Sequence, residues 1–288
     1  MSAKFRVACI QTSSTRDVAE NLATVGKLIE RARADGADLI CTPENVAMIE
    51  PNRALRFEKA APEESHPALA AFREIAAKTG AWVLAGSLAV RVGGDKLANR
   101  SFLIDAGGRV VAKYDKIHMF DVDLENGESY RESATFRSGD RAVLADTPWG
   151  LLGMTVCYDL RFPHLYRALA QAGARYITIP SAFTRPTGRA HWHVLQRARA
   201  IETGCYVFAP AQCGEHAEGR KTYGHSLIVA PWGEVLADGG EEVGIISAEI
   251  DPAKIDEARR MVPSLQHDRP FSPPASTVQP ALHAAAGD

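Results

Sequence analysis

The sequence predicts an α/β fold in one domain, with sheet layers flanked by helices. Two periodicities alternate along the chain: short apolar segments with β-branched members, and longer ones whose apolar residues recur at helical spacing. The order reads strand, helix, strand, helix, strand, and then consecutive strands. Hydrophobic residues make up 46% of the 288 positions, enough for a sizeable core, and neither a fixed-period repeat nor a Pro/Ser-rich linker divides the chain.

Taken in order, Lys4 to Gln11 alternates around Val7, Cys9 and Ile10 as a first strand. Asp17 with Glu20 has the form of a capping box, and Val18, Leu22, Val25, Ile29 and Ala32 then mark a helix that Gly36 closes. Ala37 to Cys41 is a short buried strand ended by Thr42-Pro43-Glu44-Asn45. Leu69, Phe72, Ile75 and Ala76 define a second amphipathic helix, stopped by Gly80. Trp82 to Val90 reads as a strand, and Asn99 to Ile104 pairs with Arg109 to Lys113 across D-A-G-G.

From Tyr114 to Gly139 the chain is polar and irregular, a length of loop that is more often functional than idle. Ala142 to Ala145 and Leu151 to Val156 form a hairpin across T-P-W-G. Leu165 to Ala172 reads as helix, Tyr176 to Pro180 as strand, and Ala190 to Thr203 as a helix ended by Gly204. Strands follow at Tyr206 to Ala211, Ser226 to Val229, Glu234 to Ala237 and Gly244 to Ile250. Asp251 caps a last helix through Met261. The domain is expected to span residues 1–272, with the Pro/Ala-rich stretch 273–288 loosely held.

A formal charge of −2 with both signs interspersed points away from nucleic acid and from an anionic membrane. No apolar run approaches the roughly 20 residues of a membrane span, and the start of the chain lacks a signal-peptide pattern. Cys9, Cys41, Cys157, Cys205 and Cys213 are odd in number and widely spaced, with no C-x-x-C pair. A reducing, cytoplasmic setting is therefore expected, with neither a disulfide framework nor a structural zinc.

Three polar residues follow apolar strands. Leu151 to Val156 delivers Cys157, A-D-L-I-C-T-P precedes Glu44, and Lys116 follows V-V-A-K-Y-D. Ligands gather at the carboxyl ends of strands in α/β sheets, so the three can converge. A thiol with a carboxylate and an ammonium is a coherent set. The ammonium favours thiolate and can hold an oxyanion; the carboxylate can take the thiol proton and then activate water. Taken singly, each residue also has an ordinary reading, as a core cysteine or a solvated loop charge.

T-P-E-N around Glu44, K-Y-D-K-I-H-M-F-D around Lys116 and V-C-Y-D-L-R-F-P around Cys157 together resemble the nitrilase (carbon–nitrogen hydrolase) superfamily, from about Phe5 to about Arg269. The resemblance implies a four-layer α-β-β-α sandwich and a Glu-Lys-Cys triad without metal or organic cofactor. It assigns Glu44 as general base, Lys116 as oxyanion stabiliser and Cys157 as nucleophile. It also implies a second glutamate that orients the lysine: Glu132 in R-E-S-A-T-F, with Glu128 as competitor. A homodimer or higher homo-oligomer is implied as well.

The blocks Pro210 to Ala237 and Ala190 to Thr203 look most like the deaminated-glutathione amidase branch, with the omega-amidases as near relatives. A nitrilase or carbamoyl-amide hydrolase would use the same triad. The implied substrate is a small amide carrying a 2-oxo acid carboxylate. Arg161, four residues past the nucleophile, is the guanidinium expected to grip that acid, with an ion pair to Asp159 as the alternative. Tyr158 is expected to offer its backbone N–H, and Phe183, Thr184 and Thr187, on the next strand-to-helix loop, to line the pocket. His191, His193 and His225 read as surface or structural residues, Cys41 as core, and Trp149 and Trp232 as packing residues.

Overall fold

The computed structural model describes residues 3–124 and 127–274. Two sheets stack face to face between helical layers. The first runs edge to edge through Gly244–Ile250, Phe5–Gln11, Leu39–Cys41, Trp82–Arg91, Leu97–Ile104 and Val110–Asp115, with Ala61–Pro62 paired beside Trp82–Arg91. The second runs through Val235–Asp238, Leu227–Val229, Tyr206–Ala209, Tyr176–Thr178, Gly150–Met154 and Val143–Thr147. In each, the central strands pair in parallel and the flanking ones antiparallel.

The helices are α1 (Val18–Ala34), α2 (Arg53–Lys59), α3 (Pro67–Thr79), α4 (Pro163–Gln171), α5 (Arg185–Thr203) and α6 (Ala253–Met261). The two-residue period of the first strand divides the layers. Ala8 and Ile10 join Val25 and Ile29 of α1 and Leu69 and Phe72 of α3 in one core. Val7 and Cys9 point the other way, into a core shared with Leu152, Ile177, Val207 and Leu227 of the second sheet. Leu165, Leu169, Trp192 and Ala200 of α4 and α5 cover that second sheet. The architecture is the α-β-β-α sandwich. Asp17 caps α1 by accepting from Glu20 N–H at 3.0 Å, while the Glu20 carboxylate takes a hydrogen bond from Thr15, so only half of the expected capping box forms.

Several elements differ from the sequence reading. The polar stretch after Tyr114 continues the strand to Asp115, then folds into a small hairpin, Asp121–Asp123 with Ser129–Arg131, and a 3-10 turn Glu132–Ala134. A second small hairpin pairs Cys213–Glu215 with Lys221–Tyr223. Three-residue strands show too few alternations to register as a period. α2 has no buried residue, so it offers no apolar stripe to detect.

The onset of α5 is a further correction. It begins at Arg185 rather than near Ala190, which puts Thr187 in its first turn instead of on a loop. Gly188, inside this helix, serves contact: a Cβ there would come within 2.3 Å of the Tyr223 ring. Of the predicted tail 273–288, residues 275–288 lie outside those described.

Candidate active site

The site forms where strand ends of both sheets meet. Glu44 sits on a turn laid over the next strand. Thr42 N–H donates to Leu84 O at 3.0 Å, and Gly86 N–H donates to Thr42 Oγ1 at 3.0 Å. The turn lies so close that a Cβ on Gly86 would stand 1.9 Å from Thr42 O, which leaves room for glycine alone. Lys116 follows the strand Val110–Asp115 and stays in register, its N–H donating to Asn99 O at 3.0 Å.

Cys157 opens a 3-10 turn, Cys157–Arg161, with φ 48°. A non-glycine residue at positive φ stores strain that its surroundings must hold. Here Cys157 N–H donates to Pro180 O at 3.0 Å, and the buried Asp159 carboxylate receives Val156 N–H (2.9 Å), Tyr114 Oη (2.7 Å) and His118 Nδ1 (2.7 Å). Glu132 is carried by the 3-10 turn at the end of the polar loop, and Phe120 N–H donates to its Oε2 at 2.7 Å.

These residues come together in one network. Lys116 Nζ lies 3.0 Å from Glu44 Oε1 and 2.7 Å from Glu132 Oε2. Asn99 Nδ2 donates to Glu44 Oε1 at 2.9 Å and to Glu132 Oε1 at 3.0 Å. Ala182 N–H donates to Glu44 Oε2 at 2.9 Å. Exposure is 3% for Glu44, 1% for Lys116 and 6% for Cys157. Glu128 lines the same cavity and accepts from Tyr130 Oη at 2.7 Å. Asn99 carries no distinguishing signal in the sequence, since Arg100 and Ser101 are polar neighbours in the same strand.

Burial would raise the Glu44 carboxyl, but the Lys116 charge and the hydrogen bonds from Lys116, Cys157 and Asn99 outweigh it and hold Glu44 below the ordinary carboxylate value. Burial likewise works against the Lys116 ammonium, yet the charges of Glu132 and Glu44 hold its pKa well above the usual lysine value. Burial and the Glu44 charge push the Cys157 thiol up, and Lys116 only partly offsets them. Glu44 and Glu132 both face the single Lys116 ammonium, and this balance of charge and burial favours the protonated form of the Cys157 thiol beside the Glu44 carboxylate, not the thiolate that the ammonium alone suggests.

Glu44, Lys116, Cys157 and Glu132 line a cavity of about 440 Å3, whose wall includes Phe183 and Thr187. That is a volume suited to a small-molecule ligand. Thr184 also lines it, with its hydroxyl 2.7 Å from that of Thr187. Tyr158 and Arg161 are not part of the wall. The 3-10 turn sends the Tyr158 ring onto Phe120 and Phe162. Arg161 lies over the rings of Tyr158 and Phe183 and reaches His191 Nδ1 at 3.3 Å; it does not pair with Asp159. The arginines that do line the cavity are Arg56, Arg131 and Arg220, none of which the sequence singled out.

Among the described residues, His193, His225 and Asp238 could hold a metal ion, since their ligand atoms lie within 4.8 Å of one another. They line no part of the Cys157 cavity. Both imidazoles and Gly240 N–H already bond to the Asp238 carboxylate, each at 2.9 Å. Cys41 and Trp149 take the packing roles expected of them: Cys41 is buried between the sheets, and Trp149 stacks on Phe5 with ring centroids 4.4 Å apart. Trp232 differs, standing 52% exposed. No helix among the described residues is long and apolar enough to cross a membrane.

A cysteine, two carboxylates and a lysine gathered at the strand ends of a four-layer sandwich are what amide-bond hydrolysis through a covalent intermediate needs. Residues 6–260 match the family model of the carbon-nitrogen hydrolases, and the chain belongs to that family. It is a hydrolase acting on carbon–nitrogen bonds of amides. The chain is similar to the deaminated glutathione amidase of Yersinia enterocolitica, with 41% identity over 266 residues, 91% of this chain and 92% of that one. The deaminated glutathione amidase of Homo sapiens is likewise 41% identical over 270 residues, 92% of this chain and 82% of that one. In three dimensions it resembles the crystal structure of the Caenorhabditis elegans NitFhit protein, with a TM-score of 0.86 and 36% identity. That match covers 93% of this chain and 66% of the NitFhit chain, so this chain spans only part of that protein.

Proposed function

We propose that this chain is an amidase that hydrolyses deaminated glutathione to 2-oxoglutarate and cysteinylglycine through a thioester on Cys157. The observation that carries the reading is that Cys157, Glu44 and Lys116 line one cavity, with the Lys116 ammonium 3.0 Å from the buried Glu44 carboxylate. The name shared by the bacterial and human relatives supports the choice of substrate.

In the proposed mechanism, Cys157 Sγ attacks the amide carbonyl carbon as its proton passes to Glu44. The carbonyl oxygen becomes an oxyanion held by the Lys116 ammonium. The intermediate collapses by breaking the C–N bond, and the departing amine takes the proton from Glu44. Water then gives a proton to Glu44 and attacks the thioester. Collapse of that second intermediate releases the acid and returns the proton to Cys157. Glu132 and Asn99 keep Lys116 and Glu44 aimed throughout; Phe183 and Thr187 touch the substrate, and Arg161 backs Phe183. The chemistry requires no cofactor.

The substrate is tested by a side-by-side assay on deaminated glutathione, 2-oxoglutaramate and a simple nitrile. Highest kcat/KM on deaminated glutathione is the expected result; a clear preference for 2-oxoglutaramate would make the enzyme an omega-amidase. The same reading places the enzyme in the cytoplasm as a homodimer. Light scattering at working concentration should return twice the chain mass, and a single-chain mass would remove the dimer.

A further inference from the structure

We propose that Arg56 and Arg220 form a paired-guanidinium subsite in the Cys157 cavity that receives a carboxylate of the substrate. The proposal deepens the amidase reading and rests on it.

Both side chains line the cavity. Each is held flat by an aromatic ring, Arg56 over Phe136 at 5.4 Å and Arg220 over Tyr130 at 5.7 Å. Their hydrogen bonds go to main-chain carbonyls and not to acids. Arg56 Nε donates to Glu50 O at 2.7 Å and its Nη2 donates to the same oxygen; Arg220 Nη2 donates to Ala182 O at 3.1 Å. Arg220 Nε is buried with no partner among the described residues.

The nearby carboxylates are already engaged. Glu44 and Glu132 hold Lys116, Glu50 holds Lys59 and Arg16, Glu218 holds Arg16, and Glu128 accepts from Tyr130. Two like charges thus share one cavity, and neither makes a salt bridge to an acid among the described residues. Burial and then the Arg220 charge lower the Arg56 pKa, outweighing the pull of Glu132 and Glu50, in keeping with two guanidiniums that face the same cavity. An anion between them removes that repulsion and gains charge-assisted hydrogen bonds.

The supports are built in advance. Asn52 caps the helix that carries Arg56, accepting Leu55 N–H at 3.1 Å. His216 N–H donates to Arg220 O at 2.7 Å, while its imidazole bonds Ser14 O and the Thr222 hydroxyl and so anchors the Arg220 loop. Arg220 bonds the carbonyl of Ala182, whose own N–H bonds Glu44. The subsite therefore stands one peptide unit from the general base.

Deaminated glutathione has two carboxylates, one on the 2-oxo acyl end and one on the terminal glycine. Arg56→Gln, Arg220→Gln and Arg161→Gln should be compared with the wild type on three amides. These are deaminated glutathione, its C-terminal amide, and an uncharged acyl analogue without either acid. The expected result is a fall of about 10- to 100-fold in the ratio of kcat/KM for acid-bearing over uncharged amide, in Arg56→Gln and in Arg220→Gln, carried by KM. If the C-terminal amide shows the same fall, the acyl carboxylate is the one bound; if only the full substrate does, it is the glycine carboxylate.

Arg220→Lys, which keeps the charge but loses the fork, should recover part of the ratio. Thermal unfolding of each variant separates recognition from folding. An unchanged ratio in both arginine variants, or a collapse seen in Arg161→Gln alone, overturns the subsite while leaving the amidase reading intact. A wild-type preference for the uncharged amide would instead defeat the deaminated-glutathione reading first.

Discussion

Cys157, Glu44 and Lys116 illustrate what single residues disclose in a sequence and what they conceal. Each follows an apolar run, so their place at strand ends is legible without coordinates. Their charge states are not, because these depend on how many neighbours share the burial. Lys116 next to Cys157 reads as a thiolate pair, but Glu44 and Glu132 flank the same ammonium and reverse the balance. Arg161 follows Cys157 closely in the chain, yet the 3-10 turn lays its guanidinium over the Tyr158 and Phe183 rings, outside the cavity wall.

Two predictions belong at this scale. Cys157→Ala should reduce kcat by about 1,000-fold or more with the fold retained, as removing a covalent nucleophile does elsewhere. Activity assay alongside circular dichroism checks it, and substantial remaining turnover would exclude the thioester. Lys116→Met should destabilise the protein by about 3–5 kcal/mol, since it leaves the buried Glu44 and the partly buried Glu132 carboxylates facing each other without their cation. Denaturant unfolding measures that loss, and a change below about 1 kcal/mol would show that the network relaxes into solvent.

At the scale of elements, long periodic segments were readable and short ones were not. The strand Gly244–Ile250 and the C-terminal end of α5 fall where periodicity and glycine caps place them. α2 and the two small hairpins were hidden, and they matter most for the cavity. α2 supplies Arg56; the hairpin Asp121–Asp123 with Ser129–Arg131 supplies Tyr130; the loop before Lys221–Tyr223 supplies Arg220. Specificity therefore rests on the elements with the weakest sequence signal, while the chemistry rests on the strong ones. Gly86 shows how tightly a strand and a catalytic turn are fitted. Gly86→Ala should cost about 3 kcal/mol, because the added methyl meets the backbone carbonyls of Thr42 and Pro43, which cannot swing aside as a flexible side chain could. It should also lower kcat by displacing Glu44. A melting temperature and kcat both equal to wild type would show that the turn moves freely.

Across the whole molecule, one polar seam ties the two sheets together at the site. Gln212 accepts Thr12 Oγ1 at 3.1 Å and Ser14 N–H at 3.0 Å, and donates to Ser14 Oγ at 2.9 Å and Glu44 O at 3.0 Å. Beside it His216 is buried between Ser14 O and the Thr222 hydroxyl, and burial lowers its pKa from 6.5 to about 4. A histidine kept neutral by the fold adds stability that is fully present above pH 6.5 and lost as pH falls to about 4. The unfolded chain takes up the proton over that range and the native one does not. The shift corresponds to something on the order of 3 kcal/mol.

On the alkaline side the buried thiols of Cys9, Cys157 and Cys205 all lie above their ordinary value of 9.0, so the unfolded chain ionises first and stability declines beyond about pH 9. Unfolding free energy should therefore form a plateau between about pH 6.5 and about 9. In urea titrations from pH 7 to 4.5, His216→Asn should begin less stable than wild type and lose less on acidification, because the titrating group has gone. If the two pH curves run parallel, the acid sensitivity originates elsewhere and the seam at His216 is not what couples folding to pH.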